Sequence, residues 1–107
     1  MKKYLILYRA PISAQQQMQS ATPEQAKAGM DAWMAWANRA ASALVDLGAP
    51  LTSAGNVGGE AQSDIAGYSI LQAESADAAK ALLAEHPHKM MPGGSIEVLE
   101  YVPLPGM

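Results

Sequence analysis

The 107-residue chain predicts one α+β domain whose elements run in the order β-α-β-β-α-β, over residues 1–107. Three observations carry this expectation. A run of β-favouring residues, Lys3-Tyr4-Leu5-Ile6-Leu7-Tyr8, opens the chain. From Thr22 onward, apolar residues recur in alternating steps of four and three, the spacing of one helix face. After residue 64 come a strand pattern, a capped helix and a second strand pattern. Half of the residues are hydrophobic and 16% are charged, a globular composition of a size that buries a single core.

In the first strand Tyr4, Ile6 and Tyr8 point one way and Leu5, Leu7 and Arg9 the other. Both faces are largely apolar, as in a central, covered strand. Residues 10–21 are polar, with Gln15, Gln16, Gln17 and Gln19, and read as a loop. Thr22-Pro23-Glu24-Gln25 is a helix start. Thr22 caps, Pro23 suits the first helical position, Gln25 completes a capping box and Glu24 faces the positive end of the helix dipole. The stripe Ala26, Met30, Trp33, Ala37, Ala40, Leu44, Leu47 extends that helix to Gly48 and Pro50, which stop it. A short strand around Leu51–Val57 and a glycine turn follow. Ala66–Glu74 reads as the third strand. Ser75 caps a second helix that turns Leu82 and Leu83 inward and ends at Pro87. His88–Gly94 is a loop, Ile96–Val102 the last strand and Pro103–Met107 a tail. This order is that of a split βαβ, the ferredoxin-like arrangement with a four-stranded antiparallel sheet.

Composition excludes several functions. The net charge is −3 and the seven Lys and Arg are scattered, which argues against a nucleic-acid partner. There is no cysteine, hence no disulfide framework and no thiol nucleophile. The first apolar run spans five residues and ends in Arg9, shorter than the roughly 7–15 residues of a signal core. No stretch approaches the ~20 apolar residues of a membrane span. A cytoplasmic protein without membrane contact is the expectation.

Several segments, in order, resemble the YCII-related family and its DGPF-type branch of small bacterial proteins. They are Lys3-Tyr4-Leu5-Ile6-Leu7-Tyr8-Arg9, Met30-Asp31-Ala32-Trp33-Met34-Ala35-Trp36, Gly67-Tyr68-Ser69-Ile70-Leu71-Gln72-Ala73, Glu85-His86-Pro87-His88 and Pro92-Gly93-Gly94-Ser95-Ile96-Glu97-Val98. The resemblance covers nearly the whole chain. It implies the dimeric α/β-barrel group, in which two ferredoxin-like sheets face each other in a homodimer. Other branches of that family carry a His–Asp pair with the histidine before or early in the first helix. This chain has no histidine before His86, so that role does not carry over. The branch also implies a setting near sigma-factor genes.

Six residues are candidates for chemistry. His86 and His88 are the two histidines, and an extended His-Pro-His places both on one side. They suit proton transfer or substrate binding, or two of the ligands of a metal, although two fall short of the usual three or four. The structural alternative has His86 capping the helix end and His88 lining the loop. Asp31 suits a general base if the preceding loop folds over it, and a solvated pair with Lys27 otherwise. Arg9, at the edge of an apolar face, suits a carboxylate or phosphate, or an ordinary ion pair. Trp33 lies in the apolar stripe and reads as core. Trp36, about 60° away around the helix, reads as a pocket wall, a subunit contact or core. No serine sits in a nucleophile elbow.

These readings combine into a homodimer with a small-molecule cleft on each subunit. Tyr8, Arg9 and Trp36 bind a small anionic ligand and His86, His88 and Asp31 supply acid–base chemistry, with no organic cofactor and no metal. The alternative is a non-enzymatic regulatory or protein-interaction module of the same fold.

Overall fold

The computed structural model describes residues 1–12, 14–60, 64–91 and 93–105. The readings of Pro92 as a turn residue and of Gly106 and Met107 as tail fall outside these. Four strands, β1 (Lys2–Arg9), β2 (Leu44–Pro50), β3 (Ile65–Ala73) and β4 (Ser95–Glu100), form one antiparallel sheet in the order β2-β3-β1-β4. Three helices accompany it: α1 (Ala14–Ser20), α2 (Pro23–Ala40) and α3 (Ala76–Leu83). The fold is therefore α+β, and its strand order is compatible with a ferredoxin-like arrangement. None of the described helices is long and apolar enough to cross a membrane.

Strand β1 sits centrally, and its alternation sets the two faces of the sheet. Tyr4, Ile6 and Tyr8 are buried, together with Leu71 and Ala73 of β3, Trp36 and Ala40 of α2, and Ala79 and Leu83 of α3. Leu5, Leu7 and Arg9 turn to the opposite face and are only half-buried. The expectation that both faces of β1 are covered thus holds for one face within a single chain. Tyr68 and Ile70, register partners of Leu7 and Leu5, share that uncovered face.

Both helix starts form as their caps dictate. The Thr22 hydroxyl accepts from the Gln25 N–H at 3.1 Å and the Gln25 side chain accepts from the Thr22 N–H at 2.9 Å. The Ser75 hydroxyl accepts from the Ala78 N–H at 3.1 Å. Three sequence expectations require correction. The loop expected over residues 10–21 contains α1, because Ala, Gln and Met favour helix despite the polarity of the segment. The stripe expected to run as helix to Leu47 divides: α2 ends at Ala40, a 3-10 turn spans Ala41–Ala43, and Leu44 onward is β2. The strand expected at Leu51–Val57 is irregular backbone, its place in the sheet being taken by β2. Gly48 is not a helix stop but part of an irregular stretch of β2. Its φ is +80°, and a Cβ there would overlap the Tyr68 carbonyl.

The buried face of α2 is accordingly rotated from the expected stripe. Met30 is 62% exposed, whereas Trp36 and Ala40 are buried with Trp33 and Ala37 beside them. These four follow the i, i+3, i+4, i+7 spacing of a helix face.

Candidate functional site

The last turn of the fold before β4 holds both histidines. Pro87 fixes the start of a 3-10 turn, Pro87–Met90, and His86 caps it: its Nδ1 accepts from the His88 backbone N–H at 3.0 Å. His86 is completely buried inside a box of rings. It stacks on Tyr8 at a centroid distance of 4.8 Å and meets Trp33 and Trp36 at 4.4 Å each, steeply inclined to both. Strand β1 supplies the tyrosine, α2 the two indoles and the turn the imidazole.

Each polar edge of the box is tied to a different element. The Tyr8 hydroxyl donates to Ser69 Oγ at 2.8 Å, and Ser69 donates to the Leu47 carbonyl at 2.6 Å, so three strands are linked in one relay. The Trp36 indole N–H donates to the Leu82 carbonyl at 2.8 Å, joining α2 to the end of α3. His88, 6% exposed, holds the Arg9 carbonyl with Nε2 at 2.7 Å.

These bonds define the tautomers. A carbonyl only accepts, so His88 carries its proton on Nε2. Its Nδ1 makes no hydrogen bond to the described residues. His86 Nδ1 already accepts, so its neutral ring carries the proton on Nε2. This atom is buried and without a hydrogen-bond partner among the described residues. The rings of Tyr8, Trp33 and Trp36 surround the imidazole. Burial, the neighbouring His88 and the positive Arg39 together lower the His86 pKa to about 4. His86 is therefore a neutral ring at pH 7. Burial likewise pushes the Tyr8 phenol up to about 12, its bond to Ser69 acting in the opposite sense.

Of the six residues singled out in the sequence, the fold brings four together: Tyr8, Trp36, His86 and His88. The other two lie apart. Asp31 is exposed on α2, where it accepts from Lys27 at 3.0 Å, the solvated i,i+4 pair. The Arg9 side chain is on the uncovered face of the sheet, where Nε and Nη2 donate to Glu97 at 2.9 and 2.7 Å and Nη1 to Asp64 at 2.6 Å. One guanidinium between two carboxylates is an ion-pair network rather than a free anion site. Trp36, read as pocket wall, subunit contact or core, is core. Trp33 and Ser69 complete the box and were not read as its members. The alternation of β3 places Ser69 on the buried face with Leu71 and Ala73, and a lone hydroxyl there signals a buried bond.

No group of three or more His, Asp or Glu is placed to hold a metal among the described residues. Two open clefts, of about 280 and 290 Å³, have none of the six candidates in their walls. Comparison of the chain with family models, with curated proteins and with solved structures gives no match in any of the three.

Proposed function

We propose that this chain is a YCII-related, ferredoxin-like unit that pairs with a second copy, sheet to sheet, as a dimeric α/β barrel. In this reading it is a non-enzymatic binding and interaction module whose histidine pair is a structural clasp. The observation that carries the reading is the enclosure of both histidines. His86 has no exposure and His88 has 6%, and each is committed to backbone. A general base must reach its substrate within hydrogen-bond distance, directly or through one water. The pairing rests on the uncovered sheet face, where Leu5, Leu7, Tyr68 and Ile70 stand half-buried and Leu99 is 38% exposed. Sedimentation velocity tests it: a dimer is expected at micromolar concentration, and a monomer throughout that range would refute the pairing.

One observation favours a second reading, in which His88 performs acid–base chemistry on a small anionic molecule in a dimer cleft. Its ring is oriented by the Nε2–H bond to the Arg9 carbonyl, and its Nδ1 is left without a partner among the described residues. Arg9 itself already faces Glu97 and Asp64, so a ligand's charge would be met elsewhere. Thermal-shift screening of a metabolite set separates the readings. Stabilisation by a ligand that is abolished in His88→Asn, while the unliganded variant melts as the wild type does, supports the second. Ligands that stabilise both proteins equally support the first.

A further inference from the structure

We infer that the cleft between α3 and β4 binds a small amphiphilic carboxylate, a molecule with a short apolar body and one anionic head. This site is separate from the histidine box and does not depend on the reading given to it. Helix α3 is only eight residues long, and it leaves the helix-side face of the sheet's edge strand incompletely covered. Ile96 and Val98 of β4 are therefore half-buried, although their register partners on β1, Tyr8 and Ile6, are fully enclosed. Leu83 and Ala84 close the apolar floor, and the resulting cleft has a volume of about 280 Å³.

Two lysines complete the wall, Lys80 from α3 and Lys89 from the turn before β4. Neither is paired with a carboxylate among the described residues, a state they share with Lys3 and Arg39, whereas Lys2, Arg9 and Lys27 are in ion pairs. Lys80 has no hydrogen-bond partner among the described residues, while Lys89 donates at 3.0 Å to the Ala84 carbonyl at the end of α3. That bond holds the Lys89 ammonium at the cleft. In a chain of net charge −3, two ammoniums outside any ion pair among the described residues give this apolar trough a cationic rim. Lysine stems lie along apolar surface and keep their heads in water, so the trough is apolar below and cationic at its rim.

This chemistry selects the ligand. A neutral apolar molecule gains nothing from the charge at the rim, and a bare anion leaves the floor wet. At about 280 Å³ the cleft lies just below the roughly 300–1,000 Å³ of pockets that enclose drug-sized ligands. A short-chain monocarboxylate answers both halves.

Hexanoate is the probe, with 1-hexanol and acetate as controls, followed by amide chemical shifts of the full chain. Saturable shifts confined to Leu83, Ala84, Lys89, Ile96 and Val98 are expected. Affinity is expected to be about tenfold weaker for 1-hexanol and for the double variant Lys80→Gln, Lys89→Gln. That variant changes only exposed side chains, and its remaining spectrum reports an intact fold. The inference is overturned if hexanoate gives no saturable shifts. It is equally overturned if 1-hexanol or acetate matches hexanoate, or if the double variant binds as the wild type does.

Discussion

The two faces of the sheet are built from the same strands and have opposite characters. On the helix side, Tyr8, Trp33, Trp36 and His86 interlock, and most of their polar atoms are answered by Ser69, Leu82 or the His88 backbone. On the other side, Leu5, Leu7, Tyr68 and Ile70 are only half-covered, and the charged groups pair with each other across strands. Alternation along β1 alone produces this division, since Tyr8 and Arg9 are consecutive. The first face carries the stability of one chain. The second is the face on which the proposed pairing rests.

Breaking the interlocked face has the largest expected effect. Trp36→Ala removes a ring at 1% exposure and strands the Leu82 carbonyl. A loss of about 3–5 kcal/mol is expected from urea unfolding. Trp36→Phe keeps most of the volume and forfeits the hydrogen bond, with a loss of about 1–2 kcal/mol.

The same face predicts an acid sensitivity centred on one ring. Folded His86 protonates only at about pH 4, whereas an unfolded histidine protonates near 6.5. Between those values the unfolded state binds the additional proton, so stability is full above about pH 6.5 and is lost as the pH falls toward 4. The total is about 3 kcal/mol. Carboxylates also titrate at the acid end of this range, so the informative quantity is a difference. Unfolding free energies of wild type and His86→Gln, followed from pH 7 to pH 4, are expected to converge by about that amount. Parallel curves would show that His86 is not held neutral.

The open face is tested by a charge placed where only association would feel it. Leu5→Lys puts an ammonium between Ile70 and Leu99. If two sheets meet there, the dissociation constant rises by at least about a hundredfold, ~2.7 kcal/mol, as read by sedimentation. The far-UV spectrum of the monomer is expected to be unchanged, because the side chain does not enter the helix-side core.

How much of this was legible in the sequence follows from what each signal is made of. The caps at Thr22 and Ser75 were readable because capping is local chemistry over three residues. Strands β1, β3 and β4 were readable because alternation over six or more residues is hard to mistake. The end of α2 was not. No glycine or proline stands at Ala41, which itself takes a φ of +51° to turn the chain, while Leu44 and Leu47 continued the helical spacing by coincidence. Tertiary pairing with β3, from Leu44↔Leu71 to Pro50↔Gly67, decides that segment as strand. The box around His86 was legible only as separate pieces. Tyr8, Trp36 and His86 are far apart in sequence, and only the sheet order brings them together. For Asp31 the partner Lys27 was legible at a spacing of four, and for Arg9 the face was legible from the alternation of β1, but its carboxylates, Asp64 and Glu97, lie far off in sequence and only the fold brings them there.

Asp31 gives the smallest expected effect and the sharpest contrast with the buried rings. It lies on α2 five residues before Trp36, yet its carboxylate is 66% exposed and, among the described residues, meets only the Lys27 ammonium, itself 78% exposed. Exposed i,i+4 pairs contribute roughly 0.3–0.5 kcal/mol, screened further by salt. Asp31→Asn should therefore shift the unfolding free energy by less than about 0.5 kcal/mol at low salt and by less again at 1 M. It should leave any ligand-induced melting shift untouched. A larger effect that persists at high salt would mean that Asp31 has a second partner once two chains associate, and that the line between the two faces is drawn differently in the assembly.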